Sequence, residues 1–380
     1  MAASTTTLSK FIAHFRSRKQ KPNSQPQPQT TPIDNHPPLN PSPLPLVLPE
    51  HQHLLSHHGW TIITIPQPNA TDSSFPPHPL QAAYQDLFLA VQSFFDSPDE
   101  EKAKWKHRLG TEEGWSKIPG EKEFITLRTL AYTPDVLKAP AKRYWKLMGA
   151  HLDSTLGRIS ISLNLSAEED SGLRKFVGPC AQMGENEEDK TATMLRIFRY
   201  EGWETKVVAE PHSDLGLLSA VVGDVPGLEV WDGNSWIDIE RGYIGHQATY
   251  TVGRQLERLS NGRYPAGGHR VVSYGAPEPR SCTPSGNPGG VSTSVKRYRH
   301  SIVFVLRAHE PVVVECKQLE TQITGKWVEP ATGVTAGKMY EEIRNKHFNI
   351  NIGHEEREKQ RRNVRGGKAG DRESKSQAAG

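Results

Sequence analysis

The sequence predicts an α+β protein that is mainly β, with helices in its first half and an all-β sandwich or barrel in its second half. After Thr193 the helical apolar period gives way to short β-rich runs separated by Gly, Asp, Asn or Pro. Helices followed by strands, without βαβ alternation, argue against a nucleotide-binding parallel sheet. Eight runs predict strands: Leu195–Tyr200, Lys206–His212, Leu217–Val222, Leu228–Trp231, Trp236–Ile239, Ala248–Val252, His269–Tyr274 and Ser301–Leu306.

The first half of the chain has the patterns of one early strand and several helices. The β-branched run Trp60–Ile65 predicts a strand, and apolar residues recur at helical spacing in Leu80–Phe94 and Tyr144–Leu156. Ser97 is a candidate N-cap for a short helix that begins with the following proline. The segment Ser166–Glu169 has the pattern of a capping box and predicts one more helix.

Both ends of the chain have compositions that disfavour folding. Ten of the 29 prolines lie in 22–49, among Gln, Asn, Ser and Thr, and 354–380 holds eight Lys/Arg, five Asp/Glu and no aromatic residue. We therefore expect a disordered basic, Pro-rich arm over 1–45 and a disordered charged tail over 354–380. The folded part is expected to comprise a helical region over 46–192, a β domain over 193–310 and a covering strand and helix over 311–353.

The net charge of +3 comes from the two ends of the chain. Residues 1–33 carry five Lys/Arg and no Asp/Glu, whereas residues 34–353 carry 33 Lys/Arg and 38 Asp/Glu, a net charge of −5. An acidic body disfavours nucleic acid as a partner, and no apolar run approaches the ~20 residues of a membrane span. We expect a monomer that acts on a small molecule, without nucleic acid or membrane partners.

The cysteines and the N-terminus bear on the compartment. Cys180, Cys282 and Cys316 are far apart in the chain, which suits a reducing compartment and excludes a disulfide scaffold. Apolar residues at helical spacing in 8–15 lie among basic residues, and no acid precedes Asp34, as in a mitochondrial transit peptide. We expect a cytoplasmic protein, with a mitochondrial location as the alternative.

Two His-x-Asp motifs are candidates for metal binding. His151 and Asp153 lie inside the predicted helix Tyr144–Leu156, where side chains two residues apart point about 200° from each other. His212 and Asp214 end a predicted strand, where side chains two residues apart project from the same face. Only the second motif can therefore chelate a metal ion.

A third ligand must come from another strand, and His269 is our candidate. It begins a predicted strand 55 residues after Asp214, a separation that a rolled sheet can bring face to face. His246, His300 and His309 compete for this role, but His246 lies in a Gly-flanked turn and His309 follows the last strand, so we expect both at the surface. Two imidazoles and one carboxylate form the facial triad suited to non-haem Fe(II).

The triad lies within a larger ordered set of motifs. The set resembles that of iron(II)- and 2-oxoglutarate-dependent dioxygenases of the isopenicillin N synthase-like group. The resemblance runs from about residue 46 to 348 and is strongest over 193–306. The motifs are, in order, His212–Leu218, Pro226–Trp231, Trp236–Ile237, Leu259–Tyr264 and His269–Val271.

This resemblance implies a fold, a set of cofactors and an activity. The family fold is a jelly-roll, a double-stranded β-helix core with supporting N-terminal helices. Fe(II) would be held by His212, Asp214 and His269, with 2-oxoglutarate as cosubstrate and O₂ as oxidant. The implied reaction is hydroxylation or desaturation of a small organic molecule, with release of succinate and CO₂.

The family holds the distal carboxylate of 2-oxoglutarate with an Arg-x-Ser motif, because the planar guanidinium binds a carboxylate bidentately. Arg299 and Ser301 form this motif and run into a strand, whereas Arg280 is nearer the usual family spacing but precedes a Pro/Gly-rich stretch. We choose Arg299 and Ser301, which makes 275–298 a long loop. Tyr200 matches the family tyrosine that donates to the same carboxylate, with a core tyrosine as the alternative.

Two residues depart from the family pattern. Phe198 stands where many members have Asn, and Arg254 stands where Asp is usual.

One segment bears on the substrate. The segment 122–128 resembles the family's substrate-side segment, and if it is a strand, Phe124 and Arg128 share one face. That face would suit an apolar molecule with a carboxylate. Packing of the segment against the core, with Arg128 paired to a surface acid, is the other interpretation.

Two other functions stay open. One is an oxidase of the same fold that does not use 2-oxoglutarate, and the intact Arg299-x-Ser301 motif argues against it. The other is a non-catalytic binding or regulatory protein that keeps the fold, and the intact triad argues against that.

Overall fold

The strands form two large antiparallel sheets and a small third one. The computed structural model describes residues 37–67, 76–108, 111–201, 204–274 and 298–346. Thirteen strands lie within these ranges: β1 (Trp60–Thr64), β2 (Gly114–Ile118), β3 (Lys122–Leu127), β4 (Met194–Tyr200), β5 (Lys206–His212), β6 (Leu218–Gly223), β7 (Leu228–Trp231), β8 (Trp236–Asp238), β9 (Gln247–Val252), β10 (His269–Ser273), β11 (Arg299–Leu306), β12 (Val313–Glu315) and β13 (Thr332–Thr335).

The order of the strands shows a rolled sheet. The major sheet has the order β1-β9-β6-β11-β4-β3-β2, and the minor sheet has the order β5-β10-β7-β8. One apolar cluster joins the facing sides of the two sheets, with Phe124 and Phe198 from the major sheet and Val208, Leu228 and Val271 from the minor sheet. The predicted mainly β architecture, a double-stranded β-helix core, is confirmed.

Helices cover the other face of the major sheet. Six helices lie in the described ranges: α1 (Leu54–His58), α2 (Pro79–Asp96), α3 (Asp99–Ala103), α4 (Asp135–Ser162), α5 (Arg254–Leu259) and α6 (Ala336–Arg344). The long helix α4 places Trp145 edge-on against Phe304 of β11, with ring centroids 5.2 Å apart. Both side chains are fully buried, so apolar burial holds this helical layer on the sheet. None of the helices in the described ranges has the length and apolarity needed to span a bilayer.

The strand predictions agree with the structure, and so does the short helix predicted after Ser97, but the capping role of Ser97 and the helix predicted at Ser166 are wrong. Each of the eight strands predicted after Thr193 is present within two residues of its predicted bounds. Ser97 ends α2 instead of capping α3, because its hydroxyl donates to the carbonyl of Phe94 (2.6 Å). No helix begins at Ser166; its hydroxyl accepts a hydrogen bond from that of Ser171 (2.7 Å) within a series of turns.

The boundary of the folded part lies earlier than expected. Residues 1–36 and 347–380 fall outside the described residues, and with them most of the predicted arm and all of the predicted tail. Residues 38–45, however, pack on the fold: Leu44 is 6% exposed, and the backbone N–H of Asn40 donates to the carbonyl of Ser162 (2.9 Å). The compact unit accordingly begins at Pro38, and the expected boundary at residue 46 is wrong.

Candidate metal centre and its cavity

A cavity of about 820 Å³ lies between the two sheets. Side chains of β4 and β11 reach it at every second position, because successive side chains of a strand point to opposite faces. The wall from β4 consists of Met194, Arg196, Phe198 and Tyr200, and the wall from β11 and the next residue consists of Ser301, Val303, Val305 and Arg307. The facing wall comes from the minor sheet and contains the candidate metal ligands.

The three predicted metal ligands meet in this cavity. His212 ends β5, Asp214 follows two residues later, and His269 begins β10, directly across the ladder from His212. One possible ligand atom from each residue lies within 4.8 Å of the other two. The imidazole centroids are 4.2 Å apart, and Nε2 of His269 is 3.9 Å from Oδ2 of Asp214. Among the described residues this is the one such group of three His, Cys or acidic side chains.

Backbone contacts orient both imidazoles. Nδ1 of His212 is 2.7 Å from the carbonyl oxygen of Glu210, and Nδ1 of His269 is 3.1 Å from that of Gly267. A carbonyl can only accept, so each Nδ1 carries a proton and donates it. This fixes the tautomer in which Nε2 has a lone pair for a metal ion.

The electrostatics of the group favour the metal-binding protonation states. Burial, with the neighbouring charge of His269, lowers the pKa of His212 to about 3, so this imidazole is neutral at physiological pH. Burial alone would raise the pKa of Asp214, but His269 and His212 hold it below its usual value, so the carboxylate is ionised. Two imidazoles and one carboxylate suit a divalent ion with open coordination positions.

The competing histidines lie outside the cavity. His151 lies on helix α4, and the carboxylate of Asp153 accepts two hydrogen bonds from Arg174 (3.0 and 2.7 Å). His300 contacts Asp224, with 3.2 Å between Nδ1 and Oδ2. His246 and His309 are half-buried rather than at the surface, and Nδ1 of His246 lies 2.5 Å from the hydroxyl of Tyr84. None of these four lines the cavity.

Two of the three residues expected to bind 2-oxoglutarate line the cavity, and the third has a protein partner. Tyr200 and Ser301 belong to the wall, and Arg299 lies 5.3 Å from the centroid of the Tyr200 ring. Nη2 of Arg299 donates to both carboxylate oxygens of Glu240 (3.1 and 3.0 Å), a buried pair that the sequence did not suggest. Nη1 of Arg299 is buried and has no hydrogen-bond partner among the described residues. That unsatisfied donor fits a missing acceptor such as a carboxylate.

Two glycines make room for this ion pair. A Cβ on Gly227 would lie 2.6 Å from Nε of Arg299, and a Cβ on Gly223 would lie 2.4 Å from Oε1 of Glu240. The backbone N–H groups of Gly227 and Leu228 also donate to Oε2 of Glu240 (2.7 and 2.8 Å). The position of the guanidinium is therefore fixed from several sides. Arg280, its competitor in the sequence, lies outside the described residues.

The predicted substrate residues are placed differently from each other. Phe124 lies on β3 and lines the cavity, whereas Arg128 follows the strand and does not. Nε and Nη2 of Arg128 donate to the carbonyl of Thr191, which draws the side chain away, so its predicted role in the pocket is wrong. Arg254 lines the cavity but is paired with Glu257 (2.8 Å).

The sequence reasoning missed four charged residues of the wall: Glu112, Arg196, Arg307 and Arg344. A signal was present in the alternation of the strands. Arg196 lies two and four residues before Phe198 and Tyr200, and Arg307 lies six residues after Ser301, so each shares a strand face with a residue already assigned to the cavity.

Comparison with known proteins agrees with this geometry. A family model described as the 2OG-Fe(II) oxygenase superfamily matches residues 191–285, which include His212, Asp214 and His269. The chain is 35% identical over 85 residues to probable flavonol synthase 6 of Arabidopsis thaliana, a match covering 22% of this chain and 28% of that protein. It is 26% identical over 271 residues to 2-oxoglutarate-dependent dioxygenase ecdK of Aspergillus rugulosus, covering 60% of this chain and 76% of that protein.

Solved structures share the fold. The structure of Neurospora crassa T7H in complex with alpha-KG and 5-formyluracil superposes with a TM-score of 0.55 at 19% sequence identity, covering 77% of this chain and 87% of that one. At this identity the likeness concerns the fold. The family model concerns the sequence around the three metal-ligand candidates, and the curated relatives agree with it: residues 191–285 match the 2OG-Fe(II) oxygenase superfamily, and the chain is similar to 2-oxoglutarate-dependent dioxygenases.

Proposed function

We propose that this protein is a non-haem Fe(II)- and 2-oxoglutarate-dependent dioxygenase that hydroxylates or desaturates a small organic molecule. The observation that carries the proposal is the convergence of His212, Asp214 and His269 in one cavity with Tyr200 and Ser301. A metal ion held by this triad keeps coordination positions for a cosubstrate and O₂. Fe(II) bound there with 2-oxoglutarate would supply the oxidising chemistry and release succinate and CO₂.

In this proposal the residues of the chain bind, orient and exclude water. Arg299, through its unsatisfied Nη1, and the hydroxyls of Tyr200 and Ser301 would hold the distal carboxylate of 2-oxoglutarate. The middle of the cavity has an apolar wall that keeps water from the metal ion. Its members include Val221, Leu228, Val271, Val303 and Val305.

The two other functions account for less of the site. An oxidase that does not use 2-oxoglutarate would leave unexplained why Tyr200 and Ser301 face the cavity beside an unsatisfied hydrogen-bond donor of Arg299. A binding protein that does not turn over a substrate would leave unexplained why two imidazoles are held in the tautomer with an unprotonated Nε2.

The test is an anaerobic titration of the purified protein with Fe(II) and then 2-oxoglutarate. A visible charge-transfer band of the Fe(II)–keto acid chelate should appear with one equivalent of each. Asp214→Ala should abolish the band, and His151→Gln should retain it. Iron binding without a band on adding 2-oxoglutarate would favour the oxidase, and no iron binding would favour the binding protein.

The partner class, the oligomeric state and the compartment are also part of the proposal. The net charge of −5 over residues 34–353 supports a small-molecule substrate over nucleic acid, and we propose that the protein acts as a monomer in the cytoplasm. Mitochondrial import is the alternative, supported by the acid-free basic N-terminus. Size-exclusion chromatography with light scattering tests the first point. Imaging of a C-terminally tagged chain, with a search for cleavage near residues 20–40, tests the second.

A further inference from the structure

One end of the cavity carries two buried arginines. Arg196 precedes Tyr200 by four residues on β4, and Arg307 follows Ser301 by six residues along β11. At about 3.3 Å per residue these separations are roughly 13 and 20 Å along the strands. The arginine end of the cavity is therefore distinct from the end where Tyr200, Ser301 and Arg299 are proposed to hold 2-oxoglutarate.

The charges at this end do not balance. Both terminal nitrogens of Arg307 donate to the carboxylate of Glu112, and Nη2 of Arg196 lies 3.6 Å from the same carboxylate. Arg196 and Arg307 are 9% and 4% exposed, whereas the side chain of Glu112 is 38% exposed. Two buried cations thus share one partly exposed anion. Nε of Arg307, also buried, has no hydrogen-bond partner among the described residues.

Arg254, in the same wall, is the opposite case, because it has its own counter-ion. Arg254 is neutralised by Glu257 alone, with 2.8 Å between Nη1 and Oε2. Burying a cation without its own counter-ion is costly, so the arginine end is stabilised by any further anion that reaches it. A guanidinium fork matches the two oxygens of a carboxylate, and Glu112 already forms such a contact with Arg307.

We propose that the substrate is a small molecule with an apolar body and one carboxylate, that Arg196 and Arg307 hold this carboxylate, and that Glu112 competes with it for the same guanidinium groups. The apolar wall between the two ends of the cavity accepts the body of the molecule. This inference rests on the proposed function for the identity of the reaction, but the recognition of the carboxylate can be tested separately.

The experiment measures binding of matched pairs of compounds by isothermal titration calorimetry. Phenylacetate, cinnamate and decanoate are each compared with their primary amide, first with metal-free protein and then with protein loaded anaerobically with Fe(II) and 2-oxoglutarate. At least one acid should bind about tenfold or more tightly than its amide, because only the acid offers an anion to the arginines. The acid should bind equally well with 2-oxoglutarate present, since the two molecules occupy opposite ends.

Variants separate recognition from a structural ion-pair network. Arg307→Gln and Arg196→Gln should each remove the preference for the acid, and Arg196→Lys, which keeps the charge but loses the fork, should reduce it. Glu112→Gln should strengthen acid binding several-fold, because it removes the internal competitor and keeps both arginines. Arg254→Gln, in the same wall, should leave the preference unchanged.

The outcomes distinguish this inference from the proposed function. Equal binding of acids and amides, no binding of any acid, competition with 2-oxoglutarate, or unchanged or weaker acid binding in Glu112→Gln would each overturn the inference. Acid binding by Glu112→Gln tests the inference even if both arginine variants fail to fold. A missing charge-transfer band with a clear acid preference would overturn the proposed function and leave the arginine site standing.

Discussion

The local backbone decides which His-x-Asp motif can chelate a metal ion. His212 and Asp214 lie at the end of β5, and the strand brings both side chains to one cavity, whereas helix α4 turns His151 and Asp153 apart. This difference could be predicted from the period of the surrounding residues. The partner of Arg299 could not, because Glu240 lies 59 residues earlier and reaches the arginine only through the rolled sheet.

The first prediction concerns the metal. His212→Ala, Asp214→Ala and His269→Ala should each abolish binding of one Fe(II) per chain and turnover, because each removes one of the three ligand candidates. Metal content after anaerobic loading and desalting measures the effect. Retention of stoichiometric iron in His212→Ala, or its loss in His151→Ala, would show that the assignment is wrong.

The second prediction concerns the distal carboxylate of 2-oxoglutarate. Arg299→Gln alone would leave the buried Glu240 unpaired, so the informative comparison is Glu240→Gln against the Arg299→Gln/Glu240→Gln double variant. The double variant should lose on the order of 2–5 kcal/mol of 2-oxoglutarate binding relative to Glu240→Gln, because it lacks the guanidinium. Titration of the charge-transfer band measures this, with Arg280→Ala as the control that should be close to wild type. Equal affinity in both Glu240→Gln backgrounds would exclude Arg299 from the site.

The third prediction concerns acid stability. Burial lowers the pKa of His151 to about 4, so the folded protein keeps a neutral imidazole while the unfolded chain takes up a proton below about pH 6.5. The contribution to stability is therefore complete above pH 6.5 and is lost as the pH falls towards 4, by on the order of 3 kcal/mol. Urea denaturation at pH 7, 5.5 and 4.5 should show His151→Gln gaining stability relative to wild type as the pH falls. A difference that is constant with pH would contradict the assigned cause.

At the level of elements, period-two patterns predict a strand well where one face is apolar and poorly where both faces are buried with charge. The eight strands predicted after Thr193 are all present, including β4, whose five apolar residues outnumber its buried Arg196 and Arg199. Strand β3 follows the second case: Lys122 and Glu123 are both fully buried, and Glu123 contacts Lys102 (3.0 Å) and Arg199. Such ion pairs form only after distant segments meet, so the sequence indicated β3 through its family resemblance alone.

The fourth prediction tests how the turn before β7 positions Arg299. Gly227→Ala would place a Cβ 2.6 Å from Nε of Arg299, so the guanidinium must move. We expect weaker 2-oxoglutarate binding with unchanged Fe(II) stoichiometry. The control is Gly157→Ala in helix α4, where the nearest atom to the new Cβ is the flexible side chain of Arg174 at 3.2 Å. A Gly227→Ala protein that binds 2-oxoglutarate like wild type would show that the position of Arg299 is unimportant.

For the whole molecule, composition predicted too late a start for the folded part at its N-terminal side. Residues 38–45 pack on the fold, but they lie within the Pro-rich segment 22–49, whose composition predicted disorder. The side chain of Leu44 is buried. The side-chain amide of Gln52 accepts a hydrogen bond from the backbone N–H of Leu44 (2.7 Å) and donates one to the backbone carbonyl of Leu44 (3.1 Å). Extended segments held by such contacts have no periodicity for a sequence pattern to detect.

The fifth prediction follows from this boundary. A fragment of 38–380 should melt at the same temperature as the full chain. A fragment of 46–380 loses Leu44 and the partly buried Leu39 and should melt at least about 5 °C lower. Differential scanning calorimetry of the three proteins measures the effect. Equal melting temperatures for the two fragments would show that 38–45 contributes nothing to the fold.

Helix α6 supplies Tyr340 and Arg344 to the wall of the cavity, although it lies 67 residues after His269 in the chain. The three metal-ligand candidates lie on or just after β5 and on β10, whereas this helix contributes none of them. In the proposed enzyme, part of the cavity wall is therefore supplied by a stretch of sequence separate from the metal-ligand candidates. Exchange of residues 336–344 between relatives could retune which molecule is oxidised while the iron chemistry is inherited intact, which offers both evolution and protein engineering a modular route to new substrates.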